Sequence, residues 1–371
     1  MMMSIDALSK VTLTEGISGF FKDQAVKYLL VKGDAKEVLP RIPSNSISIC
    51  ITSPPYWQER KYEGECTIGL EETVQEYVQH LTEIFHELKN TMRDDGSFWL
   101  NIGDKYEGKN LQGVPWLVAC SLQNDGWILR NAVIWDKVKG NPSNAKDKLR
   151  NIYEYVFHFV KSRKYYYDLD EIRDLPGKPY YKNGKIVTAT GVSGVRYERQ
   201  IRASNNLSKK EKEAALKVLK DTLQRVRNGE IPDFRMIIRG EQRTTHSDSV
   251  DFSGRARELL QYGFYILPYH KKGAAPSDIW RIIPEDRWRK DTHFAVFPEE
   301  LCEIPIKTSC PHDGILIDPF VGTGTAVVTA LKLGRRAIGI DVCEKYLSIA
   351  EQRITDSSLE PKKGNGTQVK L

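Results

Sequence analysis

The stretch Thr52-Ser53-Pro54-Pro55-Tyr56-Trp57 follows a short run of apolar and β-branched residues, Ile47–Ile51. Such a run is typical of a buried strand. Two prolines remove two N–H donors and fix φ, so the chain must leave the sheet there in a rigid, extended turn. The carbonyl groups of Ser53 and Pro54 then lack strand partners and stand beside the ring of Tyr56. Acceptors beside a stacking surface suit a flat ligand that carries an amino group, although a Pro-Pro turn alone is more often a plain loop.

A second stretch, Gly314–Thr325, has the sequence Gly-Ile-Leu-Ile-Asp-Pro-Phe-Val-Gly-Thr-Gly-Thr and predicts a strand followed by a glycine turn. An apolar helix is predicted over Ala326–Leu333, and Ala337–Asp341 predicts a second strand with an acid at its tip. A strand, a Gly-x-Gly turn, a helix, and a strand ending in an acid about 20 residues on form the βαβ unit that cradles nucleotides. The glycines let the backbone approach a ligand, and the acid can accept two ribose hydroxyls.

Together the two stretches resemble the amino-methyltransferases of DNA, which move a methyl group from S-adenosylmethionine to an exocyclic base nitrogen. In that family a (Ser/Asp/Asn)-Pro-Pro-(Tyr/Phe) tetrapeptide holds the base amine, and an Asp-Pro-Phe-x-Gly-(Ser/Thr)-Gly-Thr turn holds the cofactor. The tetrapeptide comes first in this chain, which is similar to the circularly permuted, beta arrangement of the family. The resemblance covers roughly residues 30–172 and 277–354.

The resemblance implies an α/β, Rossmann-like class I methyltransferase fold. We expect a doubly wound, mostly parallel seven-stranded sheet with one antiparallel edge strand, and an inserted target-recognition region. The predicted parts are an N-terminal helical segment (1–28), a catalytic half (29–172), the insert (173–276), a cofactor-binding half (277–354) and a disordered tail (355–371). Trp127–Trp135 and Tyr153–Val160 predict the antiparallel hairpin at the sheet edge, and Asp95-Gly96 predicts a turn.

Site residues carried over from the family motifs fall into two groups. The catalytic group is Ser53, Pro54, Pro55 and Tyr56. The cofactor-binding group is Asp34, Asp318, Pro319, Phe320, Gly322, Thr323, Gly324, Thr325 and Asp341.

Three polar residues stand at predicted strand ends. In the family an acid at the place of Asp34 meets the adenine amine of the cofactor, but a helix N-cap is an equally good reading. Asn101 and Asp104 follow another predicted strand and are further candidates, because the carboxyl ends of parallel strands line the crevice.

The insert carries many basic side chains interleaved with hydroxyl and aromatic residues, a pattern that suits contacts to phosphates and base edges. Acids are also plentiful there, so a solvated charged face is the alternative. Its basic residues include Arg196, Arg199, Arg202, Lys209, Lys210, Lys212, Lys217, Lys220, Arg225, Arg235, Arg239, Arg243, Arg255 and Arg257.

The composition of the chain is compatible with a DNA-binding enzyme but does not require one. The chain has 371 residues and a formal net charge of +6, which is compatible with double-stranded DNA as partner. No apolar run approaches the ~18 residues of a membrane span, and no signal peptide is evident. Six scattered cysteines predict neither a metal site nor disulfides, so we expect no metal and a cytoplasmic enzyme. A cognate restriction endonuclease is a candidate partner, and both monomer and homodimer stay open.

Serine at position 53 bears on the target base. In the family, Ser-Pro-Pro-Tyr usually accompanies cytosine N4 and Asp-Pro-Pro-Tyr accompanies adenine N6. The resemblance therefore implies a site-specific DNA methyltransferase acting on N4 of a flipped cytosine, as in restriction–modification systems, with adenine N6 as the alternative. Methylation at cytosine carbon 5 commonly uses a Pro-Cys nucleophile, and this chain has no Pro-Cys dipeptide.

Two readings from other classes also stay open. A nicotinamide-dependent oxidoreductase would share the Gly-x-Gly turn, but the third glycine of its fingerprint would fall at Val327. A DNA-binding module without catalysis would leave both motif stretches unexplained.

Overall fold

The computed structural model describes residues 13–59, 68–140, 145–174, 180–182, 185–188, 194–241, 254–284 and 297–359. The chain separates into two compact units. The first unit comprises Met1–Glu171 and Ser277–Leu371, and the second comprises Ile172–Pro276.

The described helices and strands are numbered here in chain order. The α-helices are α1 (Leu13–Lys22), α2 (Ala35–Val38), α3 (Val74–Thr91), α4 (Val114–Asn124), α5 (Val195–Ala203), α6 (Lys209–Arg227), α7 (Gly254–Tyr262), α8 (Glu299–Ser309), α9 (Thr325–Lys332) and α10 (Glu344–Leu359). The strands are β1 (Tyr28–Lys32), β2 (Ile47–Thr52), β3 (Met92–Ile102), β4 (Tyr106–Glu107), β5 (Asn110–Leu111), β6 (Ile128–Asp136), β7 (Tyr153–Val160), β8 (Tyr180–Lys182), β9 (Lys185–Val187), β10 (Phe234–Ile238), β11 (Phe264–Pro268), β12 (Ile279–Arg281), β13 (Ile315–Asp318) and β14 (Arg336–Asp341).

The first unit is built on one sheet with the strand order β1-β14-β13-β2-β3-β7-β6-β12. Strand β7 runs antiparallel to both of its neighbours, and the other pairs are parallel. The predicted α/β class and the predicted β6–β7 hairpin are therefore confirmed. Two details differ from the expectation. The described sheet has eight strands, because the short β12 pairs with β6, and its antiparallel strand lies inside the sheet.

Two hydrophobic cores cover the two faces of this sheet. Alternate residues of a strand enter different cores: Leu29 and Val31 belong to one, and Leu30 to the other. Helices α1, α2, α3 and α4 pack in the first core, whereas α8, α9 and α10 pack in the second. The sheet is thus doubly wound, and strands buried on both faces account for apolar runs such as β2, in which all six residues are buried.

Local sequence explains most of the element ends. Helix α3 begins with a capping box in which Thr73 and Glu76 bond each other's backbone amides. The predicted turn at Asp95-Gly96 is wrong: both residues lie within β3, where the pairing with β2 shifts register between Ile47 and Ile49. A turn-like pair is tolerated there because the strand bulges.

The chain ends also depart from expectation. Helix α1 covers only part of the segment predicted as helical, and residues 1–12 lie outside the described part. Helix α10 continues to Leu359, beyond Thr355, where the tail was predicted to begin.

The second unit has a small core of its own. Helices α5 and α6 pack through Tyr197, Ile201, Ala215 and Leu219, and Phe234 of the antiparallel β10–β11 pair joins them. Its role in target recognition stays a prediction.

Candidate active site

The two motif stretches leave the sheet at the carboxyl ends of adjacent parallel strands. Strands β2 and β13 pair through Ile49 with Leu316 and Cys50 with Ile317. From β2 the chain continues to α3 on one face, and from β13 it continues to α9 on the other. The winding direction reverses between these strands, and in open α/β sheets ligands bind in the crevice at that switch point.

A hydrogen bond joins the two stretches directly. The hydroxyl of Thr52, the last residue of β2, donates to Oδ1 of Asp318, the last residue of β13, over 2.5 Å. Both side chains are buried, and the same Asp318 oxygen accepts from the Phe320 amide at 3.1 Å. Residues 266 positions apart in the sequence therefore fix the relative positions of the Ser-Pro-Pro-Tyr turn and the glycine turn.

The Ser-Pro-Pro-Tyr turn is held from outside the motif. Tyr77 of α3 donates its hydroxyl proton to the Pro55 carbonyl at 2.9 Å, and buried Trp57 donates to the Glu71 carbonyl at 3.0 Å. Within the described part of the chain, the Pro54 carbonyl has no hydrogen-bond partner. The turn thus keeps this acceptor available, as its prolines predict.

Tyr56 is anchored by its hydroxyl. This group donates to Glu154 Oε2 at 2.8 Å and accepts from the Asn101 amide nitrogen at 2.8 Å. Its ring packs on the backbone of Gly103, where an added Cβ would lie 2.8 Å from Cε2. Burial, and then the Glu154 carboxylate, raise the pKa of Tyr56 well above its ordinary value. The phenol therefore stays neutral.

The glycine turn is tied to the acid at the tip of β14. The carboxylate of Asp341 accepts from the Gly322 amide at 2.9 Å and from the Cys343 amide at 2.8 Å. Gly324 has φ +83°, and a Cβ there would lie 2.7 Å from Ala350 Cβ. Only glycine therefore fits this position without strain.

Buried Arg353 of α10 braces the same turn. Its Nη1 donates to the Thr323 carbonyl at 2.8 Å and to the hydroxyls of Thr323 and Thr325 at 3.1 and 3.0 Å. The hydroxyls of these two predicted cofactor residues are thus engaged inside the protein. What the turn offers a ligand is its backbone.

The carboxyl of Asp318 has a feature that suits a cationic or N–H-bearing ligand group. Among the described residues its buried Oδ2 has no hydrogen-bond partner. Burial raises the pKa of Asp318 to about 7, against the lowering effect of the bonds from Thr52 and Phe320. A donor supplied by a ligand would satisfy this atom and favour its charged form. The residues present therefore fit a nucleotide-like cofactor with a positively charged end.

The structure assigns structural contacts to two other predicted residues. Asp34 caps α2 by accepting from the Lys36 amide at 2.8 Å, so the N-cap reading is the one observed. It still lies at the tip of β1, next to the β14 tip. Asp104 accepts from the amides of Lys105 and Val114 and so holds the start of α4. Asp104 is not among the residues that bond the Tyr56 hydroxyl, which are Ser53, Asn101 and Glu154.

Sequence reasoning missed several residues that shape the site. Thr52 stands next to the motif but looks like an ordinary strand residue. Glu154 is an acid within an otherwise aromatic and apolar strand, and that signal could have been noticed. Lys137, which forms an ion pair with Glu154, and Arg353 carry no local signal.

Several basic residues of the insert pair with acids of the same unit. Arg202 bonds Glu198, and Arg225 lies 3.4 Å from Glu230. Arg239 bonds Glu211 and also donates to the Asn206 carbonyl, so it holds this unit together. Arg243 lies outside the described residues.

Comparison with known proteins agrees with this geometry. The DNA methylase family model for N6 and N4 enzymes matches residues 47–352. The Type II methyltransferase M.SfiI of Streptomyces fimbriatus is 30% identical over 86% of this chain and 89% of its own length. M.SmaI of Serratia marcescens is 27% identical over 88% and 90%.

A solved structure shares the fold. The PvuII cytosine-N4-specific DNA methyltransferase has a TM-score of 0.55 at 17% identity, covering 89% of this chain and 91% of that one. The extent of the family match and the identity to M.SfiI show that the chain belongs to the N6/N4 family of DNA methylases.

Proposed function

We propose that this protein is a site-specific DNA methyltransferase that transfers a methyl group from S-adenosylmethionine to N4 of cytosine in duplex DNA. The observation that carries the proposal is the Thr52–Asp318 hydrogen bond, because it joins the Ser-Pro-Pro-Tyr turn to the glycine turn at one crevice. When bound, S-adenosylmethionine supplies an electrophilic methyl group on a sulfonium sulfur. Alignment of donor and acceptor with exclusion of water can supply ~7–11 kcal/mol of the barrier.

The residues predicted to bind the cofactor would contact different parts of it along the crevice. The backbone of Gly322 and Gly324 lets a ligand approach the turn, and Asp341 would accept ribose hydroxyls. Asp318 would bind the positively charged end through its buried oxygen. Pro319 and Phe320 shape the turn. The Phe320 ring packs edge-on against the Phe85 ring, with the ring centroids 6.4 Å apart. Asp34 uses Oδ1 to cap α2, and its other carboxylate oxygen would accept from the adenine amine at the β1 tip.

The residues that would bind the target base act on its amino nitrogen, which is a weak nucleophile. The lone pair of the amino nitrogen is delocalised into the cytosine ring. The Ser53 hydroxyl and the Pro54 carbonyl would accept the two amine hydrogens, which favours a tetrahedral nitrogen with a free lone pair. This gain arises as the nitrogen changes shape and therefore stabilises the transition state. Tyr56 would stack on the base after it is flipped from the duplex at a cost of a few kcal/mol.

Serine at position 53 supports cytosine over adenine, since Ser-Pro-Pro-Tyr usually accompanies N4 chemistry in this family. Serine is a poor base, so the extra proton would leave after methyl transfer. Burial raises the pKa of the thiols of Cys50, Cys302 and Cys310, so none of these three cysteines is suited to the thiolate attack that methylation at carbon 5 requires.

The similarity to Type II methyltransferases supports a restriction–modification setting. We expect the enzyme to act in the cytoplasm and to protect DNA against a cognate restriction endonuclease. No helix in the described ranges is long and apolar enough to cross a membrane.

Calorimetry and label transfer test the proposal. Purified protein should bind S-adenosylmethionine and transfer a labelled methyl group to duplex DNA. Absence of cofactor binding would end the proposal, and label in N6-methyladenine would redirect it to the adenine alternative.

A further inference from the structure

A half-buried chain of hydrogen bonds runs from the Ser-Pro-Pro-Tyr turn to Glu154 and Lys137. Ser53 Oγ lies 3.3 Å from the Tyr56 hydroxyl, which lies 2.8 Å from Glu154 Oε2. Glu154 Oε1 forms a short ion pair with Lys137. The Asn101 amide nitrogen donates to both the Tyr56 hydroxyl and Glu154 Oε2, at 2.8 and 2.6 Å. The other four members of this chain come from four different strands or strand ends: Tyr56 follows β2, Asn101 lies in β3, Lys137 follows β6 and Glu154 lies in β7.

The direction of these bonds follows from the chemistry of the inner end. A carboxylate paired with an ammonium group has no proton to give, so Glu154 can only accept. Tyr56 must then donate its one proton to Glu154. A lone pair of its phenol oxygen accepts from the Asn101 amide. The phenol has no proton left for Ser53, and Ser53 must donate to Tyr56.

We propose that Glu154 is a positioning residue that makes Ser53 an acceptor for the target amine. With its own proton held by Tyr56, the Ser53 hydroxyl presents only lone pairs to the base. A freely rotating hydroxyl would spend part of its time presenting a proton, which repels an amino group. This inference rests on the proposed function. It goes beyond that function by assigning a role to Glu154 and Lys137, two residues outside both motifs.

The test is a double-mutant cycle on single-turnover methyl transfer, with labelled S-adenosylmethionine and duplex DNA. Glu154→Gln should lower the rate about 10-fold or more, since a glutamine amide can donate to Tyr56 and reverse the chain. The dissociation constants of S-adenosylmethionine and DNA should change less than about twofold. Glu303→Gln is the matched control, because Glu303 also pairs with a lysine but lies on α8. It should leave the rate unchanged.

Tyr56→Phe supplies the decisive arm. Phenylalanine removes the hydroxyl that links Glu154 to Ser53, so Glu154→Gln should cost little further rate in that background. Equal losses from Glu154→Gln in the wild-type and Tyr56→Phe backgrounds would overturn the inference and leave Glu154 a general support of the fold. An unchanged rate in Glu154→Gln would also overturn it. Failure of the wild-type enzyme itself to methylate DNA would refute the proposed function instead.

Discussion

At the scale of single residues, the site depends on where a few polar atoms can and cannot find partners. Ser53 and Pro54 face the reacting amine in the proposed mechanism, and Asp318 holds a buried oxygen ready for a ligand. The motifs predicted these residues, because they lie within contiguous stretches. Thr52 and Glu154 hold them in place, and sequence reasoning missed both, because their partners are distant along the chain. Only Glu154, an acid in an aromatic strand, carried a local signal.

Replacing Ser53 by alanine should separate catalysis from cofactor binding. The substitution removes one acceptor for the amine, and loss of one such transition-state contact typically costs about 100-fold in rate. We expect calorimetry to give a dissociation constant for S-adenosylmethionine within about twofold of wild type. A large loss of cofactor affinity with normal turnover would contradict the assignment.

Cofactor affinity should depend on pH through Asp318. Its pKa in the free protein is raised to about 7 by burial, so below that pH the carboxyl is protonated and cannot pair with a cation. Binding of S-adenosylmethionine should therefore weaken as pH falls from 8 to 6, as calorimetry can measure. Asp318→Asn should bind weakly and show no such dependence. The same slope in this variant would place the titrating group elsewhere.

At the scale of elements, the sequence predicted the types of most strands and helices because their apolar spacing is strong. Buried strands such as β2 and capped helices such as α3 follow local rules. The turn predicted at Asp95-Gly96 failed because both residues lie in a bulge of β3, between the residues that pair with β2. Short β12 also went unrecognised as an eighth strand, since three residues carry little pattern.

Helix α9 has a glycine just before its start and another just after its end, which form a matched pair. Gly324→Ala introduces strain at φ +83° and a clash with Ala350, whereas Gly334→Ala at φ +78° meets nothing within 4 Å. We expect Gly334→Ala to cost about 1–2 kcal/mol of unfolding free energy and to leave cofactor affinity intact. Gly324→Ala should cost more and also weaken S-adenosylmethionine binding. Equal effects of both substitutions on binding would contradict a special role for the turn.

Strand β7 carries a pH-sensitive group. His158 is buried, stacks on Trp99 with ring centroids 4.1 Å apart, and its Nε2 lies 3.1 Å from the Ser97 hydroxyl. Burial, and then Arg130, lower the pKa of His158 to about 3. The unfolded chain binds this proton below about pH 6.5, but the folded chain does not until about pH 3. Stability contributed by His158 is therefore lost as pH falls through that window.

Comparing wild type with His158→Gln isolates this contribution from that of Asp318, which has the opposite sign. The raised pKa of Asp318 makes the unliganded fold more stable as pH falls from about 7 towards 4. Denaturant unfolding at pH 7 and pH 4.5 should show wild type losing more free energy than His158→Gln, by on the order of 2–3 kcal/mol. Parallel pH profiles would show that His158 does not titrate as the structure implies.

At the scale of the whole molecule, the permuted chain order matters less than the place where the ends of β2 and β13 meet. The sequence predicted the fold class and both turns through their resemblance to one family. Their contact could only be inferred, because nothing local in Thr52 or Asp318 specifies a bond across 266 positions. The family assignment also removes the nicotinamide oxidoreductase as an alternative.

The identity of the modified base in DNA tests this account most directly. Chromosomal DNA from a host that lacks its own DNA methyltransferases, expressing this chain, is digested to nucleosides and analysed by mass spectrometry. We predict N4-methylcytosine with the wild-type protein and a strong reduction with Ser53→Ala. N6-methyladenine would contradict the cytosine assignment, and unmodified DNA from a host making folded protein that binds S-adenosylmethionine would contradict methyl transfer to DNA altogether.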